Sequence, residues 1–248
     1  STLGAGGYRD ESLGLVGAID YGSDHYTCYQ YAFDWRRDNA ENAAILYRYI
    51  QERHAEVQAE YERRYGIKNA DVKFDIVAHS MGGLVTRYML RYGDQPLTAD
   101  GPPPELNWAG AKYVSRVVLV GTPNAGSADA LLDLVNGRDI GMPFLPFYQP
   151  ALMGTFPSVY ELLPRARHGH VIYDGDKDRP VKNLFDPSLW QRHGWGLAST
   201  NQDDLLEDLL PEITDPKDRR IVALDMQTRI LRHAGAFAAA LDRPEKTP

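Results

Sequence analysis

The chain has 248 residues, of which 43% are hydrophobic and 25% are charged, and its formal net charge at pH 7 is -7. This length can bury a substantial core in one large domain, and the composition is ordinary for a globular protein. A negative charge without a lysine-arginine cluster argues against nucleic acid as a partner. One cysteine, Cys28, excludes a disulfide within the chain. The sequence given shows neither a signal-peptide pattern nor an apolar run long enough to cross a bilayer, and it does not indicate the cellular compartment.

The N-terminal third predicts loops, one strand and a long helix. Residues 1–23 are glycine-rich and weakly patterned, whereas Tyr26–Phe33 is rich in β-forming residues and predicts a strand. Asp38 and Glu41 have the spacing of a helix N-cap and its partner, and Gly66 is a good C-terminal residue. The apolar stripe between them predicts one long helix over this range.

The next stretch predicts a strand, a sharp turn and a helix. Val72–Ala78 is short, apolar and largely β-branched, as in a buried strand, and the residues from Leu84 have helical spacing up to Gly93. Ser80 lies at the join, in the pattern A-x-S-x-G. Such a turn strains the serine backbone, exposes its hydroxyl and requires small residues two positions away.

We therefore predict that Ser80 is a nucleophile, with a buried turn serine as the alternative. The helix that follows points free N–H groups at the turn, so the Met81 N–H is the candidate oxyanion donor. His79 precedes the nucleophile, and in such a turn this side chain points away from it. A packing or hydrogen-bonding role for His79 is therefore expected rather than a role as the base.

A proline-rich break, Gly101–Pro104, separates this helix from Val114–Val120, which predicts another buried strand. Alternating strands and helices imply a parallel sheet with crossover helices. In a doubly wound sheet, ligands bind beyond the carboxyl ends of the strands. Ser80, Thr122 and Pro123 are expected there, together with Asp34, Trp35 and Arg36.

Residues 128–163 form an apolar segment broken by prolines, with a short helix predicted from Ala128 to Val135. Its position after a strand favours a movable cap whose apolar groups suit an acyl chain and a lipid surface; a buried connection is the alternative. We divide the chain into a core (1–127), a cap-like insertion (128–200) and a helical segment that returns to the core (201–248). Asp186-Pro187 and Asp215-Pro216 each predict a helix start, and the second helix runs to about Leu241.

The sequence predicts no metal site and no cofactor. A hairpin is expected between 170–173 and 181–185, and its acidic turn resembles an EF-hand loop. However, Arg179 occupies the glycine position and Phe185 the glutamate position. His168 and His170 have no clear third ligand and are interpreted as surface residues.

Four stretches resemble the lecithin:cholesterol acyltransferase-like family of α/β-hydrolases, particularly its bacterial members: Phe33–Arg36, Ala78–Leu84, Val120–Ser127 and Pro157–Pro164. The resemblance covers about residues 21–164 and implies a doubly wound, mostly parallel sheet with a cap. It also implies acyl transfer from a lipid ester through Ser80 to water or an alcohol. It places residues 34–36 near the site, although Asp34 and Arg36 could equally pair with each other.

The resemblance is incomplete. The family's first oxyanion loop and its C-terminal acid and histidine motifs are not recognised here, so we expect a fragment that lacks both ends of the domain and is nearly inactive alone. Asp174, Asp176 and Asp186 are possible internal acids. His193 and His233 are possible bases, but surface positions are favoured for both. A lipase or carboxylesterase acting on soluble esters, or a non-catalytic lipid- or partner-binding protein, are the alternative functions.

Overall fold

A computed structural model describes residues 8–11, 14–15, 26–139, 147–165, 171–173 and 176–244. Its strands are β1 (Arg9–Asp10), β2 (Gly14–Leu15), β3 (Phe74–His79), β4 (Val114–Val120), β5 (Ile172–Tyr173) and β6 (Asp176–Pro180). Its α-helices are α1 (Asn39–Tyr65), α2 (Gly82–Tyr92), α3 (Ala128–Asn136), α4 (Pro150–Met153), α5 (Pro157–Glu161), α6 (Pro187–His193), α7 (Asp203–Leu209) and α8 (Pro216–Asp242). None of the helices described is both long enough and apolar enough to cross a membrane.

Strands β3 and β4 form a parallel pair, with α2 in the connection between them. The pairing ends at His79 opposite Val120, so the carboxyl ends of both strands lie at one edge. Within the described residues the parallel sheet has these two strands, and Val77 and Val118 are 58% and 54% exposed. The parallel direction and the predicted bounds of Val114–Val120 are confirmed, whereas the strand predicted for Val72–Ala78 spans Phe74–His79 instead. A doubly wound sheet with a cap remains a prediction.

The two 27-residue helices begin where the sequence predicts. The Asp38 carboxylate accepts the Glu41 N–H at 2.8 Å and caps α1, which ends at Gly66 in the left-handed conformation. Asp215 caps α8 by accepting the Lys217 N–H at 2.8 Å, with Pro216 as its first residue. A capping side chain contributes about 0.5–2 kcal/mol because it satisfies an N–H group that the helix leaves open.

Helix α8 joins two parts of the core. Near its end, Phe237 packs against the Tyr88 ring of α2 at 5.6 Å, within a cluster that includes the buried face of α1. Its middle part contributes Ile230, Leu231 and Ala234 to a second cluster with α3, α5 and α6. Two arginines of α2 donate to carbonyls at the end of α8, Arg87 to Leu241 and Arg91 to Ala240, each at 2.9 Å.

The strand predicted for Tyr26–Phe33 is wrong: Cys28 forms an isolated bridge to Asp10, and no ladder to another described residue extends from it. The aromatic side chains of this segment pack on helices instead: the Tyr31 hydroxyl donates to the Asn42 carbonyl of α1 at 2.9 Å. β-Forming residues favour extended backbone, but a strand also requires a neighbouring strand.

The predicted hairpin is present but displaced. β5 pairs antiparallel with β6, which covers Asp176–Pro180 rather than residues 181–185. Val181 and Leu184 are buried in the core next to α6, so their apolar character reflects packing and not the hairpin. His168, His170 and Asp174 lie outside the described residues, as does part of the predicted cap (140–146).

Candidate active site

The predicted corner is present between β3 and α2. Ser80 has φ 52°, in the left-handed region that non-glycine residues rarely adopt, and it is one of three such residues in the described chain. Its N–H donates to the Val120 carbonyl at 2.8 Å, and its own carbonyl accepts the Gly83 N–H at 3.0 Å. A conformation of this kind costs about 1–3 kcal/mol and persists only where the surroundings impose it. Here β4 and the first turn of α2 hold it.

The two glycines after Ser80 differ in what constrains them. A Cβ on Gly83 would overlap the Thr122 side chain, and even the Thr122 methyl carbon would be only 2.6 Å away. A Cβ on Gly82 would meet Phe33 Cε1 at 3.7 Å, an ordinary contact. The A-x-S-x-G pattern predicts the steric requirement two residues from Ser80, at Gly82. The structure places it at Gly83, because Thr122 of the loop after β4 rests on the start of α2.

The Met81 N–H lies at the amino end of α2, where helix N–H groups have no partner within the helix. Met81 has helical backbone angles, φ -54° and ψ -32°, and its carbonyl accepts the Leu84 N–H at 2.9 Å. No described residue accepts a hydrogen bond from the Met81 N–H. This donor is therefore available beside the Ser80 corner, as an oxyanion donor would need to be.

The Asp34–Arg36 loop follows Phe33, the residue that contacts Gly82. Arg36 Nε and Nη2 donate to the two Asp34 carboxylate oxygens at 2.8 and 2.7 Å. These hydrogen bonds lower the pKa of Asp34 to about 2. Trp35 is 44% exposed, and its ring meets Phe156 edge-on at 5.5 Å. Of the two roles weighed for this loop, the mutual pairing is observed, and contact with a substrate remains a prediction.

The loop after β4 is tied to the segment that contains α5. The Ser127 N–H donates to the Leu162 carbonyl at 2.7 Å, and the Arg165 N–H donates to the Ala125 carbonyl at 3.1 Å. Ser158 in turn donates to the Trp35 carbonyl. Thr122, Pro123 and their neighbours thus lie between the Ser80 corner and the α5 segment, and the α5 segment also contacts the 34–36 loop. The four motif stretches of the sequence form one contiguous region.

The family model for lecithin:cholesterol acyltransferase (LCAT) matches residues 16–189, well over half of the chain. The chain belongs to the LCAT family. All four motif stretches fall inside the matched range, so the resemblance that they indicated is confirmed. Family membership connects the chain to acyltransferase or lipase-like hydrolase chemistry.

Among solved structures, a chain in the crystal structure of the Tle4–Tli4 complex is similar, with a TM-score of 0.50 and 19% sequence identity. The match covers 83% of this chain and 41% of that chain. The present chain therefore spans less than half the length of its structural neighbour. At this identity the similarity concerns the fold, which is α/β-hydrolase-like with mixed helices and a small parallel sheet. Comparison with curated proteins gives no match.

Neither histidine that was weighed as a base reaches Ser80. His193 ends α6, is exposed and stacks on Trp195 with 4.8 Å between ring centres. His233 lies in α8 and contacts Asp38. His79 is exposed at the end of β3. No described histidine of this LCAT-family chain hydrogen-bonds to Ser80, so the described residues do not contain an assembled Ser-His-Asp triad.

His233 is not the surface residue that the sequence suggested. It is partly buried, and together with Asp38 and Glu161 it forms a group whose ligand atoms all lie within 4.8 Å of one another. Burial raises the pKa of Glu161 well above its usual value, and the Asp38 carboxylate raises it further. Burial alone would raise the pKa of Asp38 as well, but the His233 contact and the Glu41 N–H outweigh it and the pKa is lowered.

One sequence signal could have located His233. The buried residues of α8 include Ile230, Ala234 and Phe237, which form one helix face. His233 follows Ile230 by three positions and precedes Phe237 by four, so it belongs to the same apolar face. No comparable signal identifies its partners, because Asp38 and Glu161 come from α1 and α5 and their meeting depends on the tertiary fold.

Proposed function

We propose that this chain carries the nucleophile of a serine acyl hydrolase or O-acyltransferase that acts on lipid esters, with Ser80 as the nucleophile. The observation that carries the proposal is the left-handed Ser80 backbone beside the available Met81 N–H. Strain at such a corner is retained where function requires it, and the LCAT family supplies the reaction class.

In the proposed reaction, Ser80 Oγ attacks the ester carbonyl carbon while its proton passes to a base. The Met81 N–H stabilises the negative charge that develops on the carbonyl oxygen. Collapse of the intermediate breaks the ester bond, releases the alcohol with a proton, and leaves the acyl group on Ser80. Water or an alcohol then attacks the acyl-enzyme and restores the serine.

The lining of the proposed acyl site comes from three loops. Trp35 and Phe156 place partly exposed aromatic surface next to the Asp34–Arg36 pair, and Thr122 and Pro123 follow β4 at the same sheet edge as Ser80. Apolar surface suits the acyl chain of a lipid ester. In this proposal residues 128–200 act as a cap that contacts the lipid surface, and no nucleic acid is involved.

The test is labelling with a fluorophosphonate probe, which reacts with activated serines, on the full-length gene product. We expect the label on the peptide that contains Ser80 and its loss in Ser80→Ala. Acyl transfer is then followed with and without an added alcohol. Product formed only with water would reduce the proposal to a hydrolase, and a short-chain soluble ester preferred over a lipid ester would favour a carboxylesterase.

A non-catalytic lipid- or partner-binding protein is the second candidate function. One observation favours it: no described histidine hydrogen-bonds to Ser80. A folded full-length protein that binds lipid vesicles but takes no label at Ser80 would establish this reading in place of the enzymatic one.

A further inference from the structure

Three ionisable side chains from distant parts of the chain meet in the interior, apart from the Ser80 corner. Asp38 caps α1, Glu161 ends α5, and His233 lies in the second half of α8. His233 Nε2 contacts Asp38 Oδ2 and lies 3.9 Å from Glu161 Oε1. Among the residues that the structure describes, this is the one group of three or more such side chains with the spacing of metal ligands.

In each of the two carboxylates, one oxygen accepts a backbone hydrogen bond and the other oxygen faces His233. Asp38 Oδ1 accepts the Glu41 N–H at 2.8 Å, and Glu161 Oε2 accepts the Asn39 N–H at 2.9 Å. Both donors belong to the first turn of α1, where N–H groups have no partner within the helix. The anchored oxygens fix the two carboxylates, and Asp38 Oδ2 and Glu161 Oε1 face His233. Hydrogen bonds of this kind orient the ligands in metal centres.

Two of the three atoms that face the centre of the group lack a hydrogen bond of good geometry, although His233 Nε2 is in ion-pair contact with Asp38 Oδ2. Glu161 Oε1 and His233 Nε2 are buried, and no described residue provides either atom with a hydrogen bond of good geometry. The Glu161 side chain is only 1% exposed. A buried carboxylate oxygen without a donor is costly, so this position requires either a bound cation or a proton.

We propose that Asp38, Glu161 and His233 bind a divalent transition-metal ion, with Zn²⁺ as the best fit. Two carboxylate oxygens and one imidazole nitrogen match the ligand types that Zn²⁺ accepts, and water completes four-coordination. Ca²⁺ and Mg²⁺ prefer larger sets of oxygen ligands. The two negative charges balance the ion, so the buried group carries no uncompensated charge.

The ion would act as a structural link. It would join α8 and α5 to Asp38 at the amino end of α1. Asp38 lies four residues after Asp34, and the Asp34–Arg36 loop follows Phe33, which lies beside Gly82 of α2. Because the ion takes no part in the proposed acyl transfer, zinc binding and fluorophosphonate labelling at Ser80 are tested independently.

The test is zinc titration of the whole chain after removal of metals with a chelator. A chromophoric competitor for Zn²⁺ reports the affinity, and Co²⁺ absorption reports the ligand geometry. We expect one high-affinity site whose affinity falls at least roughly 100-fold in Glu161→Gln and in His233→Gln. At about one hundred times its dissociation constant, Zn²⁺ should raise the unfolding midpoint of the wild-type chain by roughly 5–10 °C. Mg²⁺ and Ca²⁺ at the same concentration should not.

Two matched controls separate this site from adventitious binding by the chain's seven histidines. His193→Gln removes an exposed imidazole and Glu41→Gln an exposed carboxylate, and both should keep the site. If Glu161→Gln fails to fold, two other measurements test the site. Asp38→Asn should lose zinc affinity, and the Co²⁺ absorption spectrum of the wild type should be that of a tetrahedral site. Equal zinc affinity in the folded ligand variants, or a wild type without a zinc-dependent midpoint, overturns the proposal. The carboxyl pair would then hold a shared proton in place of an ion.

Discussion

The Ser80 corner and the Asp38–Glu161–His233 group differ in how the sequence encodes them. The residues of the corner come from one contiguous stretch, β3 to α2, although Val120 and Thr122 from the neighbouring β4 region help to hold it. The buried group combines three segments, and more than a hundred residues separate Asp38 from Glu161. One is a local backbone feature, and the other exists only after α1, α5 and α8 have packed together.

This difference predicts different responses to mutation. Changes at the corner should alter chemistry with small effects on stability, whereas changes where α8 packs should alter stability first. Four predictions test this contrast, from the largest expected effect to the smallest.

Ser80→Ala should lower the turnover of the full-length enzyme by roughly 10⁴–10⁶-fold, because the acyl-enzyme cannot form. Ser80→Gly should be equally inactive but more stable than Ser80→Ala by about 1 kcal/mol, since glycine adopts φ 52° without strain. Turnover and urea unfolding measure both effects. Ser115→Ala, on the exposed part of β4, serves as control, and substantial turnover in Ser80→Ala would refute the nucleophile.

Phe237→Ala should destabilise the fold by about 3–5 kcal/mol, because this ring is fully buried against Tyr88 of α2. Chemical denaturation gives the free energy of unfolding. Ile221→Ala lies on the same helix but is 63% exposed, and it should change stability by less than about 0.5 kcal/mol. Similar losses in the two variants would contradict the packing role assigned to α8.

Gly83→Ala should cost about 1–3 kcal/mol through its overlap with Thr122. Gly82→Ala, one residue earlier, should be neutral or slightly stabilising, because its new methyl has room and alanine favours the helix. The double variant Gly83→Ala with Thr122→Ala should recover part of the loss in thermal unfolding. If Gly82→Ala is the more damaging of the two, the assignment of the steric contact is wrong.

The Asp34–Arg36 pair should give the smallest effect, because Arg36 is exposed and Asp34 is partly exposed. Asp34 has its pKa lowered to about 2, so its pairing stabilises the fold above the usual aspartate pKa and is lost as the pH falls towards 2. The unfolding midpoints of wild type and Asp34→Asn should therefore converge between about pH 4 and pH 2. NMR titration of the Asp34 carboxyl group reports the pKa directly, and an ordinary value would contradict the pairing.

The sequence was informative where structure is local. Asp38, Gly66, Gly93 and Asp215 marked helix ends correctly, and the bounds of β4 agree with the prediction. These features depend on capping groups and on periodicity within a few residues. The corner around Ser80 was predictable for the same reason, but its contact with Thr122 was not.

Predictions that required a distant partner were less successful. Tyr26–Phe33 has strand-forming residues but, among the described residues, pairs with β1 only through the Cys28 bridge, and Val181 is apolar because it packs in the core. His233 was predicted to be a surface residue because its partners, Asp38 and Glu161, are distant in the sequence and approach it only in the packed fold. The catalytic roles of Ser80 and Met81, and the site-lining positions of His79 and the 34–36 loop, stay predictions.

The guanidinium groups of Arg87 and Arg91 in α2 donate hydrogen bonds to the Leu241 carbonyl in the last turn of α8, although about 150 residues separate the partners in the sequence. Fraying of that turn breaks hydrogen bonds to α2, so we expect amide exchange near Leu241 to report the opening of the contact between the two helices.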